Sequence, residues 1–225
     1  MTFLFRGNPN RKIEEDVMNA TLILLSPLLF LLVYWVNINF MRDQAFVYLA
    51  KSFLAGKTYF LTSPGGWADS ALFMGHYYWP LGPFPAVVMI PFVYLFGLAG
   101  ANFYQGHLQF ILVFGVIFLV SKLVAKFFKN SLDIIFLTFA FGFSSAFLGL
   151  ALRPSSWFFS QVIATFLLTL FLYEFLDKKR YWFLGIISAL LFLTRITTAL
   201  VVLVPLLDLL FGQESLRRRF IKALM

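Results

Sequence analysis

The chain contains no cysteine and only two histidines, His76 and His107. Disulfide bonds, thiol catalysis and thiolate metal sites are therefore excluded, and a histidine-based metal cluster is not expected. Charged residues are also scarce, at 12% of the 225 residues against about 25% in a soluble globular domain. Apolar residues reach 61% and include 31 phenylalanines, so the composition predicts an integral membrane protein with several spans.

The net charge of +8 does not indicate a nucleic-acid partner. The basic residues lie in short clusters beside apolar runs, where they set the topology and contact anionic lipid headgroups. One cluster, Arg6, Arg11 and Lys12, precedes an apolar run that is too long for a signal peptide and is followed by no small-residue cleavage site. We expect an uncleaved anchor with a cytoplasmic N-terminus in the plasma (inner) membrane, and membrane lipids as partners.

Six apolar runs are predicted to span the membrane, and together they make residues 1–225 a single transmembrane domain, an all-α polytopic bundle. The runs are 17–38, 101–124, 132–152, 157–176, 181–194 and 196–211. The last two are short for spans and are separated by Arg195, so they form either a pair of half-length helices or one long tilted helix. The basic segment 217–222 favours the pair, because a pair of helices over 181–211 would begin and end in the cytoplasm, where basic segments are enriched.

The extracytoplasmic segment of about 39–100 is predicted to carry two juxtamembrane helices. The stretch 43–55 is amphipathic and is followed by Gly56 as a stop signal, with Lys51 and Ser52 opposite an apolar side of Phe46, Leu49, Ala50, Phe53 and Leu54. The run 83–97 is apolar but short. If it crossed the membrane, the lysines at the end of the 101–124 run, Lys122, Lys126 and Lys129, would face the exterior. We therefore place the 83–97 run at the outer surface. Residues 56–85 are expected to form an ordered loop.

Asp43 is the leading candidate for chemistry, because an ionisable group at a membrane boundary is by default a functional candidate. It could cap the helix that follows it, or pair with Arg42 at the headgroup level. It could also deprotonate an acceptor or hold a divalent ion. Asp69 either belongs to an ordinary turn or supplies a second carboxylate facing Asp43 across the loop.

Aromatic and basic residues on the same side are candidates for substrate binding. The run 75–85 contains His76, Tyr77 and Tyr78 and suits either a membrane-interface belt or a pocket for a sugar or lipid phosphate. Arg153 and Arg195 fall near the exterior ends of predicted spans. Each can extend its side chain along apolar surface to the interface, or bind a phosphate through its planar guanidinium.

Three elements in this order resemble the polytopic glycosyltransferases of the GT-C fold, the superfamily of protein O-mannosyltransferases and aminoarabinose lipid A transferases. They are Arg42-Asp43-Gln44-Ala45 continuing to Gly56, then Tyr77-Tyr78-Trp79-Pro80-Leu81-Gly82-Pro83-Phe84-Pro85, then Phe192-Leu193-Thr194-Arg195. The resemblance covers about residues 37–212. Members of that superfamily are usually longer, so it corresponds to their N-terminal module. The turn 153–157 also lacks a carboxylate that many members carry.

The resemblance implies transfer of a sugar from a polyprenyl-phosphate donor to a lipid, glycan or protein acceptor outside the membrane. It assigns catalysis to Asp43, as base or metal ligand, and places Arg195 near the lipid phosphate. No nucleotide or redox cofactor is needed, and the sequence leaves open whether Mg²⁺ or Mn²⁺ takes part. Two alternatives stay open: a non-catalytic membrane subunit that binds a lipid-linked sugar or works with a partner subunit, and a transporter.

Overall fold

The computed structural model describes residues 26–61 and 69–211, and these residues are predominantly helical. The first helix, α1, is described from Ser26 to Asn39. The elements that follow are α2 (Ala45–Leu54), β1 (Ala71–Phe73), β2 (His76–Tyr78), α3 (Phe84–Leu98), α4 (Gln105–Phe127), α5 (Ser131–Phe143), α6 (Phe147–Ala151), α7 (Ser156–Leu176), α8 (Tyr181–Thr194), a 3-10 helix (Ile196–Val202) and α9 (Leu203–Phe211). The predicted all-α class is confirmed, with one small strand pair added. The basic clusters at 6–12 and 217–222, and the start of the first predicted span at 17–25, lie outside the described residues.

Helices α4 and α7 form the centre of the fold. Among the described residues, they are the two helices long and apolar enough to cross a membrane. They run in the same direction: near their starts the Ser156 hydroxyl lies 3.2 Å from the Gln105 side-chain oxygen, and at their far ends Lys126 pairs with Asp177 at 2.6 Å. We call these two levels the Asp43 end and the Lys126 end. Lys126 and the 177–180 loop therefore lie at the same end of the bundle.

Between α4 and α7, the chain runs back from the Lys126 end to the Asp43 end as two separate helices, α5 and α6. The prediction of one continuous span over 132–152 is wrong, because α5 stops at Phe143 and the short α6 begins only at Phe147. The Ser145 hydroxyl donates to the Phe141 carbonyl at 2.6 Å. The same oxygen accepts a hydrogen bond from the Phe147 amide at 3.1 Å and so acts as a local cap for α6. Serine side chains compete in this way with the helix ladder, so the sequence Gly-Phe-Ser-Ser interrupts the helix.

The last helices form an antiparallel pair, as the shorter-helix alternative predicts. Helix α8 ends at Thr194, and Arg195 adopts an extended backbone with φ −150°. Helix α9 then returns to the start of α8, where the Tyr181 hydroxyl donates to Asp208 at 2.6 Å and Lys179 pairs with the same carboxylate at 3.2 Å. Arg195 therefore lies at the Asp43 end, and the 177–180 loop lies at the other.

Helices α2 and α3 pack together at the Asp43 end. The predicted helix over 43–55 is confirmed as Ala45–Leu54, with Gly56 at φ +70° after it. Its predicted apolar side is partly wrong: Leu54 is 45% exposed, whereas Ser52 is fully buried and donates to the Tyr48 carbonyl. The helix is a core element rather than a surface one, because its buried face packs on α3 and α7.

The core consists of two neighbouring clusters. The larger one joins α2, α3, α7 and α8 around residues with no exposed surface, among them Phe46, Met89, Phe159 and Leu184. The smaller one joins α1, α4, α6 and α7 around Val33, Val116, Phe147 and Val162. Phe103, just before α4, lies with its ring centroid 4.9 Å from Phe92 and 5.0 Å from Phe96. The second half of α3 therefore stays beside the start of α4.

The loop before α3 contains a β-hairpin that the sequence reasoning missed. Strands β1 and β2 pair antiparallel, with Ala71 opposite Tyr78 and Phe73 opposite His76. The two turn residues, Met74 and Gly75, have φ of 47° and 77°, as a two-residue turn that matches strand twist requires. Glycine at the second turn position between short apolar and aromatic runs is the signal that could have predicted it.

Candidate functional site

Asp43 lies in the tight link between α1 and α2, with its backbone at φ +50°. Its carboxylate reaches helix α7, 113 residues further along: Oδ2 accepts from the Ser156 amide at 3.1 Å, and Oδ1 accepts from the Ser156 hydroxyl at 2.8 Å. The expectation that it caps the helix following it is wrong. A helix cap needs extended backbone, which φ +50° excludes, and α2 begins after Gln44 with no side-chain cap.

Two glutamines extend this connection to a third helix. The Gln44 side-chain oxygen accepts from the Gln105 amide, the first of α4, at 2.8 Å. In return, the Gln105 side-chain oxygen accepts from the Phe46 amide in the first turn of α2 at 2.9 Å, while its Nε2 donates to the Asp43 carbonyl at 3.0 Å. Both glutamine side chains are buried. The starts of α2, α4 and α7 thus meet beside Asp43, and the partial positive charge at the start of α7 faces its carboxylate.

Asp69 attaches to the next residue of the same helix turn. Its Oδ2 accepts from the Trp157 indole Nε1 at 2.9 Å. The carboxylates of Asp43 and Asp69 are therefore held by consecutive residues, Ser156 and Trp157. Both predicted carboxylates therefore bind the first turn of α7.

Arg195 contacts that turn from α8. Its Nη1 lies 3.3 Å from the Ser160 hydroxyl and 3.4 Å from the Trp157 carbonyl, and its guanidinium carbon lies 5.8 Å from the Trp157 ring centroid. Arg153 lies three residues before the start of α7 and is exposed, with its guanidinium carbon 5.0 Å from the Phe158 ring centroid. Both predicted arginines are therefore placed around the start of α7.

A cavity of about 320 Å³ lies beside Arg195. It lies between the 80–83 loop and the junction of α8 with the 3-10 helix, and Thr197 is among its lining residues. Gly82 allows the loop to approach closely, because a Cβ there would fall 2.0 Å from the Leu193 carbonyl oxygen. A volume of this size is at the small end of the range of about 300–1,000 Å³ for small-molecule pockets.

The predicted aromatic residues lie on the hairpin beside this turn. His76 stacks on Tyr59 with ring centroids 3.8 Å apart, and Tyr78 meets the same ring edge-on at 6.1 Å. Tyr77 is half-buried, and its carbonyl accepts from the Phe60 amide at 2.9 Å. Arg42 is exposed and forms no ion pair with Asp43, contrary to one of the expectations.

Trp79 connects the hairpin to the helix turn and was missed as a site residue. Its ring centroid lies 6.1 Å from that of Trp157 and 5.8 Å from that of Phe46. Its indole nitrogen is buried and has no hydrogen-bond partner among the described residues. Trp79 lies in the aromatic run 75–85, so the sequence did indicate this region. Only the fold shows that Trp79, rather than its neighbours, contacts the helix turn.

A divalent cation would find few ligands here. Within 26–61 and 69–211 no group of three or more His, Cys, Asp or Glu side chains comes together. Mg²⁺ is commonly held by one or two carboxylates together with substrate phosphates. Asp43 and Asp69 are the carboxylates that bind this turn, so a cation here would need further ligands from a bound molecule.

No protein-family model, curated protein or solved structure matches the chain. Its class follows from the structure: among the described residues it is predominantly helical, with two helices long and apolar enough to cross a membrane.

Proposed function

We propose that the protein is a membrane glycosyltransferase that moves a sugar from a polyprenyl-phosphate donor to an acceptor at the extracytoplasmic face. One observation carries this proposal: Asp43, Asp69 and Arg195 all contact the first turn of α7, and Arg195 also lines a cavity. The reaction needs a carboxylate that takes a proton and a cation that neutralises a departing phosphate. The GT-C resemblance assigns the same two roles to Asp43 and Arg195.

The proposed reaction is a direct displacement. An acceptor hydroxyl or amine attacks the anomeric carbon and forms the new glycosidic bond, while the bond from that carbon to the phosphate oxygen breaks. Asp43 takes the acceptor proton. The phosphate leaves with the electron pair, and its charge is stabilised by Arg195, with Arg153 and the positive end of α7 nearby. Tyr77, Tyr78, His76 and Trp79 are proposed to contact the sugar.

The proposed setting is the plasma membrane, crossed six times, with the Asp43 end outside and the Lys126 end in the cytoplasm. Support comes from the distribution of charge. Lys122, Lys126 and Lys129 and the 177–180 loop lie together at one end, as the excess of basic residues in cytoplasmic loops requires.

The test uses membranes containing this chain, a panel of radiolabelled polyprenyl-phosphate sugars, and the variant Asp43→Asn. We expect transfer to fall about 100-fold or more, the usual contribution of a general base. The matched control is Asp133→Asn, which neutralises an exposed carboxylate in the first turn of α5 at the other end. Unchanged transfer by Asp43→Asn, at equal expression, contradicts the proposal.

A second candidate is a non-catalytic subunit that binds a lipid-linked sugar. The observation in its favour is that both Asp43 carboxylate oxygens already accept from Ser156, as they would if Asp43 served only to cap the start of α7. Co-purification of a second protein, with no turnover by the isolated chain, favours this candidate. Full activity of the pure single chain excludes it.

A further inference from the structure

Ser156 is the residue through which helix α7 holds Asp43, and the reaction proposed above gives it no role. Among the described residues, only Ser156 donates to the Asp43 carboxylate, once from its amide and once from its hydroxyl. That carboxylate forms no ion pair within the described part of the chain. Ser156 has no exposed surface, so bulk water does not compete for its hydroxyl. The orientation of the proposed base therefore depends on one residue.

The Ser156 hydroxyl oxygen is fixed in place, whereas its proton has three partners within reach. The oxygen accepts from the Ala45 amide, the first of α2, at 2.9 Å. The proton can go to Asp43 Oδ1 at 2.8 Å, to the Asp43 carbonyl at 3.0 Å or to the Gln105 side-chain oxygen at 3.2 Å. A serine hydroxyl has one proton to donate. Asp43 Oδ1 is the nearest partner and carries negative charge, so it is preferred while Asp43 is ionised.

The other two partners become important when Asp43 takes the proton of the sugar acceptor. A carboxyl group protonated at Oδ1 no longer offers a charged oxygen to Ser156. The Ser156 proton can then rotate to the Asp43 carbonyl or to the Gln105 side-chain oxygen. This rotation moves no heavy atom, and the proton stays on Ser156. The same buried hydroxyl is therefore satisfied in both protonation states of Asp43.

We propose that Ser156 is a positioning residue for Asp43. Its hydroxyl holds the ionised carboxylate in the geometry for proton transfer and turns away once Asp43 is protonated. The inference rests on the proposed function, because it gives Ser156 a part in the same sugar transfer. Ser156 contacts neither the sugar nor the phosphate in that reaction, so it acts on kcat rather than on donor binding.

The experiment measures kcat and KM for the full chain in membranes, with the radiolabelled polyprenyl-phosphate sugar that supports transfer. Ser156→Ala removes the hydroxyl and keeps the amide that donates to Asp43 Oδ2. We expect kcat to fall about 10–100-fold, because misplacing a reacting group by about 1 Å can cost roughly 100-fold, while KM changes less than about twofold. Ser155→Ala is the matched control, since this neighbouring serine is also buried and its side chain caps no helix.

A double variant separates positioning from a general loss of structure. If Ser156 acts through Asp43, adding Ser156→Ala to Asp43→Asn should lower kcat no further, whereas a purely structural loss would lower kcat in both backgrounds. Ser156→Thr keeps the hydroxyl and should recover most of the rate that Ser156→Ala loses. Ser156→Cys, close in size but a weak donor, repeats the test should the alanine variant fail to fold.

Two results would overturn the inference while leaving the proposed function intact. One is a kcat for Ser156→Ala within about twofold of that for Ser155→Ala, and the other is an equal loss of kcat in the two Asp43 backgrounds. Failure of the proposed function looks different, because the unsubstituted chain would then transfer no sugar. That result would overturn both proposals.

Discussion

At the scale of single residues, Asp43 combines a structural contact with a candidate chemical role. Its left-handed backbone restricts the position to residues that tolerate φ near +50°, chiefly Gly, Asn and Asp. Its carboxylate accepts two hydrogen bonds from Ser156, one at each oxygen. Each carboxylate oxygen has a further lone pair, so the same group can also receive a proton from a bound acceptor.

The structural and chemical roles of Asp43 separate in two variants. Asp43→Ala should lower the free energy of unfolding by about 2–4 kcal/mol, because it loses charged hydrogen bonds and because alanine tolerates a left-handed backbone less well than aspartate. Asp43→Asn should lose clearly less, because its amide oxygen still accepts from the Ser156 amide. Thermal unfolding in detergent measures both variants, and equal destabilisation by Ala and Asn would contradict this account.

Residue patterns alone selected Asp43, Asp69, Arg153 and Arg195, and the fold places all four around one helix turn. They could not predict which groups these residues contact. Gln44 and Gln105 stabilise each other's neighbouring helices from 61 residues apart, and an amide side chain carries no local sign of such a partner. The catalytic role of Asp43 stays a prediction.

At the scale of helices, the close packing of α4 on α1 depends on a glycine, Gly106. A Cβ on Gly106 would lie 2.0 Å from the Asn37 carbonyl oxygen, so α4 begins in backbone contact with α1. The Asn37 side chain, fully buried, also donates to the Ala151 carbonyl at 2.7 Å. One asparagine and one glycine thus join α1, α4 and α6 directly beneath the site.

Gly106→Ala should therefore destabilise the protein by about 1–3 kcal/mol, the usual cost of overpacking, because backbone atoms must move. Gly185→Ala is the matched control: it lies in α8, and its added Cβ would meet no atom within 4 Å. Alanine there should be neutral or stabilising by up to about 1 kcal/mol through its helix propensity. The measurement is thermal unfolding of both variants, and the same shift in both would refute the packing argument.

Long apolar runs predicted the helices well where nothing interrupts them. The run 181–194 matches α8, and 157–176 differs from α7 by one residue. The errors fall where local hydrogen bonds override hydropathy: Ser145 interrupts the 132–152 run, and a two-residue turn forms the hairpin. The burial of Ser52 and the exposure of Leu54 depend on where α3 packs, which the sequence of α2 does not contain.

At the scale of the whole molecule, the ion pairs between described residues lie at the Lys126 end. They are Lys126–Asp177, Lys179–Asp208 and Arg180–Glu174. The hydrogen bond from Lys126 lowers the pKa of Asp177, which lies beyond the end of α7. Because this pKa is lowered, the stabilising effect of the pair is present at neutral pH and is lost as the pH falls through the folded-state pKa. Partly exposed pairs are worth little energy, so we expect them to orient loops rather than hold the bundle together.

The absence of cysteine makes the orientation of the two ends directly measurable. Leu72→Cys places a thiol on the exposed hairpin at the Asp43 end, and Lys129→Cys places one on the exposed link after α4. A membrane-impermeant maleimide added to intact cells should label Leu72→Cys at once and Lys129→Cys only after permeabilisation. The unsubstituted chain is the unlabelled control. The reverse pattern would invert the topology and remove the extracytoplasmic site.

The contact between Asp43 and Ser156 also constrains how the chain is made. The two residues are 113 positions apart, so at about 5–20 residues per second of synthesis roughly 6–23 s separate their emergence from the ribosome. During that interval Asp43, Gln44, Gln105 and the start of α4 cannot complete their cluster, because α7 has not yet been made. The meeting of three helix starts can close only once α7 is in place, so a chain that stops before α7 leaves the Asp43 carboxylate without its two Ser156 donors.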